Sequence, residues 1–213
     1  MNFGEILDAV CSDGIDPSRR DVAKEWVKAR HAWLWGASNW TFKETTGSIT
    51  FTANQQIAAG PADVQSVFAI YNSGGDRLRA YRDLRRFYTL YNTLGGVSAS
   101  TPEAYTVVGG DIIIGPQGDG TTGMIVYQKQ KPTLVNDGDA TGLPDGFDLA
   151  LVHGGKAEGF KLTNAPALAQ VFDTNFEAAV TALQNDWLEN ILETGEMSGA
   201  YVPHAAMWPA YGR

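Results

Sequence analysis

Apolar residues recur at helical spacing from the first residues of the chain: Phe3, Ile6, Leu7 and Val10 share one face, and the pattern stops in the polar turn Ser12-Asp13-Gly14. A second helix is predicted from the cap Asp16-Pro17 through Val22, Trp26, Ala29 and Trp33, which gives it an aromatic face. From Asn39 the period changes. Trp40, Phe42 and Glu44 alternate with other residues, Thr46-Gly47 can turn, and Ile49 and Phe51 alternate on the return, so a β-hairpin is expected.

Val67 to Tyr71 reads as a further strand ending in Asn72-Ser73-Gly74-Gly75, with Leu78 to Tyr81 expected to pair with it across that turn. A short helix is predicted from Asp83 to Tyr91, where Leu84, Phe87, Tyr88 and Tyr91 share a side. The clearest hairpin joins Tyr105–Val108 to Asp111–Ile114 through Gly109-Gly110, because two glycines supply the positive φ angles of a tight primed turn. Met124 to Tyr127 makes another strand. After the polar linker Asn136-Asp137-Gly138-Asp139, helical period returns at Leu143-Pro144. Phe147, Ala150, Leu151, Ala157 and Phe160 form an apolar face there, and Gly154 and Gly155 let another helix come close. Asn164-Ala165-Pro166 ends that helix and opens a last one carrying Leu168, Phe172, Ala179, Leu183 and Trp187.

The expected fold class is therefore α+β: a helical bundle with an inserted, mostly antiparallel β unit and an extended C-terminal tail. Helices fall in residues 1–39 and 143–194 of a single domain over 1–194, the β insertion in 40–142 and the tail in 195–213. Trp26, Trp33, Phe147, Leu151, Phe172 and Leu183 are the expected bundle core.

Composition narrows the function. The 213 residues carry 16 Lys and Arg against 24 Asp and Glu, a net charge of −8, which disfavours a protein that binds nucleic acid over its whole surface. No stretch has the apolar length of a membrane span, and the opening residues lack a signal peptide's basic flank and apolar run, so a soluble protein made in the cytoplasm is expected. Cys11 is the single cysteine and reads as an inert thiol. His31, His153 and His204 match no metal-ligand spacing, and no nucleophile elbow, phosphate loop or dinucleotide fingerprint occurs. No catalytic residue, metal ligand or cofactor site is assigned.

Charge is arranged in blocks. Arg77, Arg79, Arg82, Arg85 and Arg86 fall within ten residues, interleaved with Tyr81, Phe87 and Tyr88. Three readings are open for them: a solvated face with local ion pairs, a contact with another subunit or ring, or a grip on DNA. Between Leu162 and Gly212 no lysine or arginine occurs, whereas Asp173, Glu177, Asp186, Glu189, Glu193 and Glu196 do. Opposite signs in separate blocks favour head-to-tail contacts between identical copies. The segment from Gly195 to Arg213 is too apolar for a solvated tail, yet its glycines and prolines oppose a regular element. Tyr201, Pro203, Trp208, Pro209 and Tyr211 are its expected anchors on another protein surface, the alternative being a fold back over its own bundle.

The order of elements resembles phage head-to-tail connector proteins of the adaptor type. The resemblance is carried by Phe3-Gly4-Glu5-Ile6-Leu7, Asp16-Pro17-Ser18-Arg19-Arg20 and the helix to Trp40, Tyr105-Thr106-Val107-Val108-Gly109-Gly110 with Ile112 to Pro116, Leu143-Pro144-Asp145-Gly146-Phe147-Asp148-Leu149-Ala150-Leu151-Val152, and Ala157-Glu158-Gly159-Phe160. It implies a structural virion protein at the head-tail interface: a ring of identical subunits, usually a dodecamer, bound to the portal protein on one side and to tail or nozzle proteins on the other. It implies no catalytic residue. DNA would pass through the lumen without specific binding, with Asp186, Glu189 and Glu193 as a repulsive lumen-facing wall. The alternative function is a DNA-binding packaging or tail accessory protein that uses the Arg77 to Arg86 cluster.

Overall fold

The first helix, α1 (Phe3–Val10), starts on a reciprocal cap: the Asn2 side chain accepts from the Glu5 N–H at 2.9 Å, and the Glu5 carboxylate accepts from the Asn2 N–H at 2.8 Å. Its four periodic residues, Phe3, Ile6, Leu7 and Val10, are all fully buried. This is a computed structural model, and it describes residues 1–12, 14–38, 40–91, 99–144 and 146–193, with side chains of the last helix described to residue 185. A single 3-10 turn at Pro17–Arg19, held by the Asp16 carboxylate on the Ser18 N–H, leads into α2 (Arg20–Ala37).

The strands follow as β1 (Glu44–Thr50), β2 (Ile57–Ala58), β3 (Val64–Tyr71) and β4 (Arg79–Ala80). Then come the short helix α3 (Leu84–Leu90), β5 (Ala104–Val108), β6 (Asp111–Gly115) and β7 (Thr122–Lys129). Two long helices, α4 (Phe147–Leu162) and α5 (Pro166–Glu193), complete the described chain.

Helix α4 is the centre of the bundle, with α1, α2 and α5 packed around it. Glycine makes that possible. A Cβ at Gly155 would stand 2.7 Å from Val10 and 3.3 Å from Val27, and one at Gly159 would stand 2.4 Å from Ile15 and 2.9 Å from the Trp26 ring. The turn into α5 is a Schellman close: Asn164 takes φ 57°, and the Ala165 N–H donates to the Phe160 carbonyl at 3.0 Å. Arg30 of α2 reaches Glu158 of α4 at 2.5 Å and Asp173 of α5 at 2.7 Å, while Lys161 meets the same two carboxylates at 3.1 and 2.8 Å. Partial burial pushes the Asp173 carboxyl up, but Lys161 and Arg30 outweigh it and hold the group below its ordinary value. Three contacts set α2 and α5 parallel: Arg30 with Asp173, the Trp33 ring 5.3 Å from Phe176, and the Gln184 amide 3.3 Å from the Ser38 hydroxyl.

The β unit has a core of its own, built from Ile49, Phe51, Ile70, Leu78, Tyr105, Ile112, Ile114, Ile125 and Tyr127. Its sheets run β1-β7-β3 and β2-β6-β5-β4, antiparallel except for β4 on β5. Bridges at Thr50–Ala59 and Tyr71–Arg77 join the two sheets on both sides, giving a closed, barrel-like wall around that core. The fold class is α+β as expected, and the Tyr105 to Ile114 hairpin, the Met124 strand and the Asp83-capped helix stand where the sequence places them.

Four expectations need correction. Thr46-Gly47 is no turn but the middle of β1, paired with Val126 and Ile125. Gly47 is there for space, since a Cβ would meet Pro61 at 2.8 Å and the Tyr127 ring at 3.2 Å. Trp40 and Phe42 are not strand residues: they flank a 3-10 turn at Thr41–Lys43 and pack into the helical core, with the Trp40 indole N–H donating to the Leu34 carbonyl at 2.7 Å. Leu78 to Tyr81 touches β3 only at its start, where the Leu78 N–H donates to Ile70, and then pairs parallel with β5.

The α2 core face is also rotated from the expected one. Ala23, Trp26, Val27, His31, Leu34 and Trp35 are buried, whereas Val22, Ala29 and Trp33 are exposed, Trp33 to 52%. The physical reason is that Trp33 lies at the margin of the face, one ring side on Phe176 and the other in solvent. On α5 Leu168 is exposed, Phe172 and Leu183 are half-buried against the core, and the Trp187 side chain lies outside the described residues.

Candidate functional site

The arginine cluster lies along one exposed edge of the β unit. The loop before it is set by Asn72, whose side chain accepts from the Gly74 and Asp76 N–H groups at 3.0 and 2.9 Å. Arg77 and Arg79 follow on the way into β4, and Arg82 lies in the connection to α3. Asp83 then caps α3, accepting from the N–H groups of Arg85 and Arg86 at 3.0 and 3.3 Å. The carboxylate nearest in sequence to Arg82, Arg85 and Arg86 is thus committed to backbone.

Aromatic residues anchor this edge. Phe87 is fully buried, with the rings of Tyr81 and Tyr91 at 5.9 and 5.2 Å. Gly115 on β6 makes room for Tyr91, because a Cβ there would fall 2.5 Å from the Tyr91 Cγ. With the ring cluster fixed, the guanidinium groups are held outward.

All five arginines are exposed, and none lies within ion-pair distance of a carboxylate among the described residues. The Arg77 guanidinium donates to the Phe68 carbonyl at 3.4 Å, and that of Arg79 to the Tyr81 hydroxyl at 3.5 Å. Arg79, Tyr81, Arg82, Asp83 and Arg86 line an open recess of about 470 Å³. The expectation of local ion pairs, one form of the solvated-face reading, is not met. The edge presents five positive charges to whatever approaches it.

The other expected site residues do not meet this edge in the described structure. Asp186, Glu189 and Glu193 lie on the last two turns of α5, and their side chains are outside the described residues. Tyr201, Pro203, Trp208, Pro209 and Tyr211 lie wholly outside them. Cys11 is half-buried, and burial pushes its thiol up, which suits an unreactive group. His31 and His153 are held below the ordinary histidine value by burial. Among the described residues no group of three or more His, Cys, Asp or Glu side chains converges as a metal site would require.

Sequence reasoning missed the outward faces of α2 and α5. The signal was present: in α5 the residues from 166 to 185 contain no lysine or arginine, an unusual composition for a solvent-facing helix.

The fold sets out a basic edge and exposed apolar positions on α2 and α5, surfaces of the kind a structural assembly protein uses. The sequence matches the family of the SU10 adaptor protein over residues 1–197, and the chain belongs to that family. It is a bacteriophage adaptor, a structural component of the virion, and the family implies a non-enzymatic role. The match takes in the whole bundle and β unit and ends three residues into the 195–213 segment. No curated protein matches the chain.

Proposed function

We propose that the protein forms a ring of identical subunits, a dodecamer, that joins the portal protein to tail or nozzle proteins at the head-tail interface, with DNA passing through its lumen without specific binding. The bundle and β unit act as one connector domain over residues 1–194, and residues 195–213 dock on the portal or a neighbouring subunit through Tyr201, Pro203, Trp208, Pro209 and Tyr211. Asp186, Glu189 and Glu193, spaced three and four apart on α5, supply the repulsive lumen wall.

One observation carries this reading beyond family membership. Among the described residues the five exposed arginines have no carboxylate partner, while the chain from 162 to 212 holds six acids and no lysine or arginine. Each copy therefore carries a surface that another copy, or the next ring, can neutralise. The same bare edge favours a second reading, a packaging or tail accessory protein that grips DNA phosphates with Arg77 to Arg86.

Electron microscopy of the protein mixed with its portal protein tests the first reading: a coaxial ring below the portal is expected, and no complex would overturn it. A gel shift tests the second, which requires DNA affinity that falls steeply as salt rises.

A further inference from the structure

The outer surface of the β unit continues the basic edge with apolar side chains. Ile49, Ile125 and Ile70, on β1, β7 and β3, are fully buried in the core of the unit. The residues next to them in sequence, Ser48, Met124 and Tyr71, are register partners across the same three strands and share its outer face. A bridge from Tyr71 to Arg77 carries this row onto the first residue of the basic edge. Leu78 is buried between Arg77 and Arg79, so those two arginines both stand outward. Met124 is 42% exposed, and Phe68, at the register shift in β3, is 39% exposed, its carbonyl accepting from the Arg77 guanidinium at 3.4 Å. Phe68, Tyr71 and Met124 thus form one surface with the arginines.

We infer that this surface docks a protein other than this chain, one that presents carboxylates around an apolar centre, and that it docks neither DNA nor a second copy. The inference rests on the ring proposed above and deepens it by naming the face that holds an adjoining ring.

Charge calls for an acidic partner, because five exposed guanidinium groups face solvent with no carboxylate in reach among the described residues. A second copy answers that charge poorly. Asp8, Asp137, Glu158 and Asp173 are held in ion pairs, and Asp16, Asp83 and Asp139 accept from backbone N–H groups. Among the described residues the acids outside such contacts, Glu44, Asp76, Glu103, Asp111 and Glu177, fall on five separate segments and form no matching cluster. The acids at 186, 189 and 193 face the lumen in the proposed ring.

Composition separates protein from DNA. Phosphate oxygens would satisfy the arginines but would leave Phe68 and Met124 in water, whereas a protein surface buries both. The cluster from 77 to 86 holds five arginines and no lysine, and it adjoins tyrosine, phenylalanine and methionine. Those four residue types are enriched at protein interfaces, where lysine is depleted.

The test compares the full chain with Arg82→Glu and with Met124→Gln, both at exposed positions, after melting curves have matched them to wild type; Phe68→Asn replaces the second variant if it melts early. Ring size is read by light scattering, binding by co-sedimentation with the portal protein and, separately, with the tail protein, and DNA affinity by gel shift. Both variants are expected to weaken binding to the same one of the two proteins roughly tenfold or more, with ring size unchanged. Loss of the ring would overturn the inference in favour of a second copy. A salt-sensitive DNA shift lost in Arg82→Glu, with protein binding intact, would overturn it in favour of DNA. Binding weakened by Arg82→Glu alone, weakened toward different proteins by the two variants, or unchanged in both would overturn the shared face and leave the ring reading standing. Wild-type protein that forms no ring and binds neither protein would overturn the ring reading, and the inference with it.

Discussion

Lys43 sets its ammonium against the carbonyl oxygen of Ser38, 2.7 Å away, and so closes the C-terminal end of α2 with a buried positive charge. The same nitrogen donates to the Trp35 carbonyl, so one side chain satisfies two acceptors that a helix end leaves open. Burial pushes the Lys43 ammonium below its ordinary value.

Replacing Lys43 by methionine keeps the stem and removes the donors, stranding the two carbonyls. The expected loss is about 1–3 kcal/mol in chemical denaturation. An unchanged midpoint would show that water replaces the ammonium at no cost.

Glycines on α4 and α2 should respond in opposite directions. Gly159→Ala must displace Ile15 and the Trp26 ring and should destabilise by about 1–3 kcal/mol despite the helical preference for alanine. Gly36→Ala, in open space on a helix, should stabilise by about 0.5–1 kcal/mol. Thermal melts of both variants check the pair.

Stability should fall as pH drops below about 6.5. The His31 ring nitrogen Nε2 donates to the Thr141 carbonyl at 2.8 Å, and its buried Nδ1 has no partner among the described residues. Burial disfavours the charged ring, the Thr141 bond opposes this, and Lys131 adds to the depression. The unfolded chain therefore takes up a proton before the folded one does, and stability is lost from the ordinary histidine value down through the lowered one. His153, lowered by burial and Lys156, acts in the same direction. His31→Gln should flatten part of the profile in denaturation at stepped pH.

Charge reversal at Arg82 and Arg85 should leave the melting temperature nearly unchanged, since both side chains are exposed and unpaired among the described residues, and should impair assembly. Normal assembly, followed by light scattering or microscopy, would return the edge to solvent.

Deleting residues 196–213 should likewise spare the fold. Ordering a tail of that composition costs roughly 1–2 kcal/mol of backbone entropy per residue, which a partner surface would have to offset. Portal binding should be abolished or greatly weakened, measured by co-sedimentation.

The bundle was legible where one face of a helix alone is buried. Phe3, Ile6, Leu7 and Val10 state their face without ambiguity, and the glycine pair at 109–110 states its turn. The α2 face was misread because two surfaces of that helix are apolar: one packs the core, the other carries Val22, Ala29 and Trp33 outward, and periodicity cannot rank them. Gly47 was misread because a glycine that admits Pro61 looks, in sequence, like a glycine that turns. The five arginines were legible as a cluster, but not their lack of carboxylate partners among the described residues, which depends on Asp83 being spent on a helix start.

The pairing of Glu44 with Gln128 has a wider consequence. The first and last strands of the insertion are neighbours, so the chain leaves the bundle and returns to it through a single doorway. Whatever is lengthened, trimmed or exchanged at the far loops of the insertion leaves the packing of α1, α2 and α5 around α4 with the same two attachment points. Such a module can be retuned to a new neighbour while the bundle around α4 keeps its shape.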